Sequence, residues 1–246
     1  MPDEIKDLVT SLWPYLALAA LIAFFFVSIV VVGAVEKFRI HDYEPAPDTV
    51  LSETSPYFAA MNQAAQQMGF QYGGAFAQSR GSQMYQCRLA LWLTPDQGTL
   101  VVVVGGKIAR MNYRKTFVFS RLSEGKTLVT LDEFGTTDLS GIWDAETLLN
   151  ADLAELVAKH ELRLEAGGLI PIAFSPTDLQ TQYEAMTRAR VERMIERGLA
   201  TYVDAGRNVW KFTFKGAMSN ALHGYLKGLK GAQGQAARAK IKRPGS

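Results

Sequence analysis

Cysteine is almost missing from this chain: 246 residues include one, Cys87. A lone cysteine excludes an intramolecular disulfide framework and a cysteine-rich zinc site, and a domain without cysteine pairs has no need of an oxidising compartment. Histidine is scarce too. His41, His160 and His223 stand far apart, none paired with another ligand at metal spacing, so no metal and no cofactor is expected. Charge is missing from Leu8 to Val35, a run of 28 residues. Acid is missing from Lys227 to the end, and repeats of solenoid type are absent throughout.

The uncharged run is the strongest signal. Its centre reads Leu-Ala-Leu-Ala-Ala-Leu-Ile-Ala-Phe-Phe-Phe-Val over Leu16–Val27. A bilayer core about 30 Å thick needs about 20 apolar residues in a helix, which satisfies its own backbone groups. Trp13 and Tyr15 fall where interfacial aromatics belong, Phe24, Phe25 and Phe26 fall where lipid contact is expected, and Pro14 lies in the first turn of the apolar helix. A cleaved signal peptide would begin with positive charge and carry a shorter apolar stretch. Here the start is Met-Pro-Asp-Glu-Ile-Lys-Asp, and Gly33-Ala34 is a poor cleavage site. Residues 1–35 therefore read as a retained signal-anchor that crosses the membrane once. Lys37 and Arg39 outweigh Lys6 as flanking cations, which orients the N-terminus outside and residues 36–246 in the cytoplasm.

Residues 36–56 read as a tether, with Pro45 and Pro47 favouring extended chain. Residues 57–230 read as one soluble α+β domain. Tyr57–Met68 predicts a short helix closed by Gly69. From Phe70 the period changes to two: Tyr85, Cys87, Leu89, Leu91 and Leu93 alternate with Gln86, Arg88, Ala90, Trp92 and Thr94, as in a half-buried strand. Pro95-Asp96-Gln97-Gly98, Gly105-Gly106 and Ser-Glu-Gly-Lys at 123–126 read as turns, giving an antiparallel meander of five or six strands before Asp132. Helices then return: one capped by Asp144 and continuing through Leu153, Leu156, Val157 and His160 to Gly167-Gly168, and one entered at Ser175-Pro176-Thr177-Asp178 and ended near Arg197. A small hairpin over 202–214 precedes an amphipathic helix with Met218, Ala221, Leu222, Tyr225 and Leu229 on one face. This order predicts a meander sheet with helices packed on one face.

Chemistry is harder to find. Gly105-Gly106-Lys107 lacks the first glycine, the hydroxyl and the following helix of a phosphate loop. Neither Phe119-Ser120-Arg121 nor Leu139-Ser140-Gly141 forms a nucleophile elbow, although Ser120 and His160 are the places where a pocket would matter. Asp132, Glu133, Thr136, Thr137 and Asp138 gather oxygens without the spacing of a calcium loop.

Residues 231–246 form a basic tail expected to lack fixed structure. Lys227, Lys230, Arg238, Lys240, Lys242 and Arg243 face no acid, whereas the preceding 226 residues hold 20 basic against 24 acidic groups, a net −4. Such a tail suits anionic headgroups or an acidic surface of a partner complex. The tail has no interleaved aromatics, so nucleic acid is not expected as a partner. The sequence thus reads as a single-pass membrane-anchored accessory protein whose partners are the bilayer and a protein of a membrane complex. The alternative is a membrane-tethered enzyme whose site the fold assembles.

Overall fold

A computed structural model describes residues 3–39, 43–49, 55–78, 85–108, 111–132, 138–206 and 208–223. The first element, α1 (Asp3–Val35), runs unbroken through the uncharged stretch and begins well before it, so Pro14 lies inside the helix and not in its first turn. Apolar side chains on a helix must be covered by something, and at most of the α1 side chains the structure describes, the protein itself does not cover them. Leu18 is 55% exposed, Phe24 67% and Val27 58%, whereas Val30 is 3% exposed. This helix is long and apolar enough to span a membrane.

Two sheets follow. In the smaller, β1 (Phe38–Arg39), β10 (Val209–Phe212) and β9 (Ala200–Asp204) pair antiparallel in that order. The larger has seven strands in chain order: β2 (Tyr43–Pro45), β3 (Gln71–Gln78), β4 (Tyr85–Leu93), β5 (Leu100–Ile108), β6 (Met111–Arg121), β7 (Thr127–Leu131) and β8 (Trp143–Thr147). Within the stretch read as a tether, β1 and β2 each pair into one of the two sheets.

The domain is α+β with a mixed sheet, and the expected all-antiparallel meander needs one correction. The pairings from β2 to β7 are antiparallel, but β8 joins β7 in parallel. The residues Trp143–Thr147 form this edge strand, where Asp144 was expected to cap a helix beginning at Ala145. Sheet pairing overrides their local helical pattern, and the helix α3 (Leu153–Gly167) starts later. Its true cap is Asp152, whose carboxylate accepts from Glu155 N–H at 2.8 Å while Glu155 reaches back to the Asp152 N–H at 3.2 Å.

The sheet is also buried on both faces, not one. Leu89, Leu91 and Leu93 join Val102, Phe119, Leu131, Phe174 and Leu179 in one core. Ala90 and Trp92 join Val101, Val103, Val118, Phe58 and Leu156 in another. The first core is closed by α4 (Leu179–Glu196), the second by α2 (Pro56–Gln67) and α3. The alternation that looked half-buried thus serves two apolar layers.

Gly105-Gly106 is not a turn; β5 continues through it to Ile108. A Cβ on Gly105 would lie 2.7 Å from Phe58 Cδ2, so glycine is what lets α2 lie this close to the strand. At the start of α4, Pro176–Asp178 forms a separate 3-10 turn, and neither Ser175 nor Asp178 makes the expected side-chain cap bond.

The last described element, α5 (214–223), is pinned at its start. Thr213 N–H donates to the Leu199 carbonyl at 3.0 Å, and Thr213 Oγ1 accepts from Gly216 N–H at 3.1 Å. Its apolar residues divide differently from the expected single face. Ala217 is buried, whereas Met218 and Leu222 are 44% and 47% exposed. Tyr225 and Leu229 lie outside the described residues.

Candidate functional site

Ser120 and His160 come together inside the domain. Ser120 lies on the face of β6 that carries Val118, and His160 continues the buried stripe of α3. His160 Nε2 is 3.0 Å from Ser120 Oγ, and its Nδ1 is 3.0 Å from Thr130 Oγ1. Ser120 Oγ donates to the Gly98 carbonyl at 3.0 Å and lies 2.9 Å from Thr99 Oγ1. Arg163 Nη1 donates to Thr130 Oγ1 at 3.0 Å.

Each hydroxyl carries one proton. The Ser120 proton is committed to Gly98, so the His160 Nε2–H donates to Ser120 and Nδ1 accepts from Thr130. A nucleophilic serine needs the opposite polarity, with the imidazole accepting the hydroxyl proton. Both side chains are sealed from solvent, Ser120 at 0% and His160 at 0% exposure. Burial, assisted by the nearby Arg163 charge, holds the imidazole pKa down at about 3. The arrangement is therefore a satisfied buried network that ties α3 to β6 and β7.

The two described residues of the oxygen-rich loop, Asp132 and Asp138, are spoken for in the same way. Asp132 accepts from Tyr57 Oη at 2.5 Å and from Thr116 N–H at 2.7 Å. Burial raises the Asp138 carboxyl pKa, but hydrogen bonds from Ser140 and the Trp143 N–H, with the Arg190 charge, outweigh it and leave the pKa below the usual range. Asp138 lies 3.4 Å from Arg190 Nε, and that guanidinium stacks 4.4 Å over the Trp143 ring. These contacts shape residues 138–143 so that β8 can reach the sheet edge. Glu133, Thr136 and Thr137 lie outside the described residues. Among the described residues no group of His, Cys, Asp or Glu is arranged to hold a metal.

An open groove of about 380 Å³ brings Lys126, Arg193 and Arg197 together with Glu124 and Glu196. Its cations are engaged within the chain. Arg193 pairs with Glu196 at 2.7 Å, Lys126 with Glu124 at 3.7 Å, and Arg197 donates to the Leu139 carbonyl at 2.9 Å. Three cations against two carboxylates leave a net charge of +1, and each of the three cations already has a partner within the chain.

The residues read from the sequence as lipid-contacting divide into two groups. Trp13, Tyr15, Phe24 and Phe25 point away from the domain, at 66%, 72%, 67% and 58% exposure. Phe26 is half-buried and joins a third apolar cluster with Val30, Ala34, Phe38, Trp210, Phe212, Ala217 and Ala221. In this cluster the Phe38 and Trp210 rings stack with centroids 4.7 Å apart. A Cβ on Gly33 would lie 3.6 Å from Ala217 Cβ, so α1 and α5 approach through small residues. The sequence signal for this joint was the pairing of Gly33-Ala34 with Ala217 and Ala221, small residues spaced on two helices. The basic residues Lys227, Lys230, Arg238, Lys240, Lys242 and Arg243 lie outside the described residues.

Compared with protein-family models, curated proteins and solved structures, the chain matches none.

Proposed function

We propose that this protein is a single-pass membrane-anchored accessory protein, with residues 36–246 in the cytoplasm and an α+β domain that binds a protein of a membrane complex. The observation that carries the reading is the contrast along α1: Leu21 is 51% and Phe24 67% exposed, while Val30 is 3% exposed. Exposed apolar surface costs about 25 cal/mol per Å² in water, and a bilayer removes that cost. The covered base of the helix makes the anchor continuous with the domain. The sidedness rests on Lys37 and Arg39 against Lys6.

A binding role is favoured over catalysis by the inward-sealed Ser120–His160 pair, whose proton runs away from the imidazole. Purification from native membranes in mild detergent should yield a stoichiometric protein partner. A fluorophosphonate probe should leave Ser120 unmodified in the folded chain. Isolation as a lone chain, together with Ser120 labelling, would replace this reading with that of a membrane-tethered hydrolase. Protease added from the non-cytoplasmic side should spare a C-terminal tag, and its digestion would reverse the assigned orientation.

A further inference from the structure

Helix α5 carries an apolar stripe that the protein leaves bare. Phe214, Met218 and Leu222 follow one another at intervals of four and are 64%, 44% and 47% exposed. At about 100° per residue these three span a narrow arc of the helix. Ala217 and Ala221 border that arc on one side and belong to the cluster containing Phe26, Val30 and Ala34 of α1. Lys215, Ser219 and His223 border it on the other, with Lys215 and His223 exposed. The stripe is therefore continuous with the surface of α1 on one edge and meets polar residues on the other.

The length of α1 says where along the helix this happens. Twenty-eight uncharged residues make a helix about 42 Å long, a dozen ångström or so more than a bilayer core of about 30 Å requires. Most of the surplus, Leu8–Leu12, precedes Trp13, and the rest, Ala34 and Val35, lies at the base of the helix, where Ala34 packs against the domain. Counting from Trp13, whose ring marks one interface, a core of about 30 Å ends about 20 residues later, beside Gly33. Ala217 meets Gly33 at that level.

We infer that α5 is a second membrane-contacting element, lying at the bilayer interface with Phe214, Met218 and Leu222 in the headgroup and acyl boundary. The inference rests on α1 spanning the membrane. Interfacial helices of this kind keep an apolar stripe in the lipid and cations on the flank, the position Lys215 occupies. The geometry holds α5 in place beforehand, because a Cβ on Gly216 would fall 1.8 Å from the Leu199 carbonyl oxygen. Its seat on the small sheet leaves no room to turn the stripe inward.

The test uses the full chain with Cys87→Ser, reconstituted in phosphatidylcholine and phosphatidylglycerol vesicles. Spin labels are placed singly through Leu21→Cys, Lys215→Cys, Met218→Cys and Leu222→Cys. The expected result is high collision with oxygen and low collision with a water-soluble nickel chelate at 21, 218 and 222, and the reverse at 215. Nickel access at 218 and 222 while 21 stays lipid-exposed overturns the inference and leaves the anchor reading standing. Shielding of 218 and 222 from both reagents overturns it in favour of a second copy of the chain covering the stripe. Nickel access at 21 overturns the anchor reading itself, and the inference with it.

Discussion

The seven-stranded sheet and the three-stranded sheet solve the same problem of burial with different means. The larger sheet has helices of the domain on both faces, so Leu91, Val101, Val118 and Phe119 reach 0% exposure. The smaller sheet has one apolar cluster, and part of its cover comes from the base of α1. Trp210 and Phe212 retain 8% and 9% exposure there. The difference teaches that the larger unit is self-contained, whereas the smaller unit is completed by the long apolar helix α1. Pulling on one end of that joint should be felt at the other without disturbing the main sheet.

Four substitutions sharpen this contrast, each measured on the full chain in mild detergent. The largest effect is expected from Leu91→Ala, which opens a cavity in a side chain's place between strands and α4. It should cost about 2–5 kcal/mol in chemical denaturation, and a cost below 1 kcal/mol would mean that the sheet core yields more than its burial implies. Gly105→Ala should cost about 1–3 kcal/mol, because the new methyl meets Phe58 at 2.7 Å and α2 must shift. Gly216→Ala clashes with backbone and not with a movable side chain. It should loosen residues 200–223, seen as new proteolytic cleavage there, while the melting of the main sheet stays in place. Cleavage in β4–β7 as well would show that the two units are not separable.

At neutral pH the smallest expected effect is that of His160, whose contribution emerges only as the pH falls. The folded-state pKa of His160, about 3, lies below the ordinary value of 6.5. Between those values the unfolded chain binds a proton that the folded chain excludes, so this residue lowers stability as pH falls from about 6.5 toward about 3. In His160→Gln that part of the slope should disappear from the thermal melting curve. An unchanged slope would mean that the imidazole is reachable by water and protons.

The long apolar helix and the run of antiparallel strands up to β7 were legible in the sequence because each follows a simple rule. An uncharged run of Leu8–Val35 has few folded alternatives, and alternation through Leu89, Leu91 and Leu93 has a strand's period. What escaped were features decided by distant partners. Trp143–Thr147 carries a helical pattern, yet Thr127–Leu131 offers a free strand edge and Arg163 offers ion pairs to Asp144 at 3.0 Å and Glu146 at 3.2 Å. Gly105-Gly106 looks like a turn until Phe58 is placed above it. Ser120 and His160, 40 positions apart, carry no shared motif, and the direction of their hydrogen bond depends on the Gly98 carbonyl. The division of α5 into a covered and a bare apolar face depends on which side of it α1 lies.

The measurement that bears most directly on the account is flotation after alkaline carbonate extraction of membranes containing the full chain. Carbonate strips peripheral proteins, and flotation separates membrane-inserted chains from aggregates, which sink. The account predicts that the protein floats with the vesicles after extraction, because Phe24, Phe25 and their neighbours lie in lipid. Recovery in the soluble fraction or in the sunken pellet would contradict a membrane-spanning α1, and with it the placement of α5 at the bilayer surface.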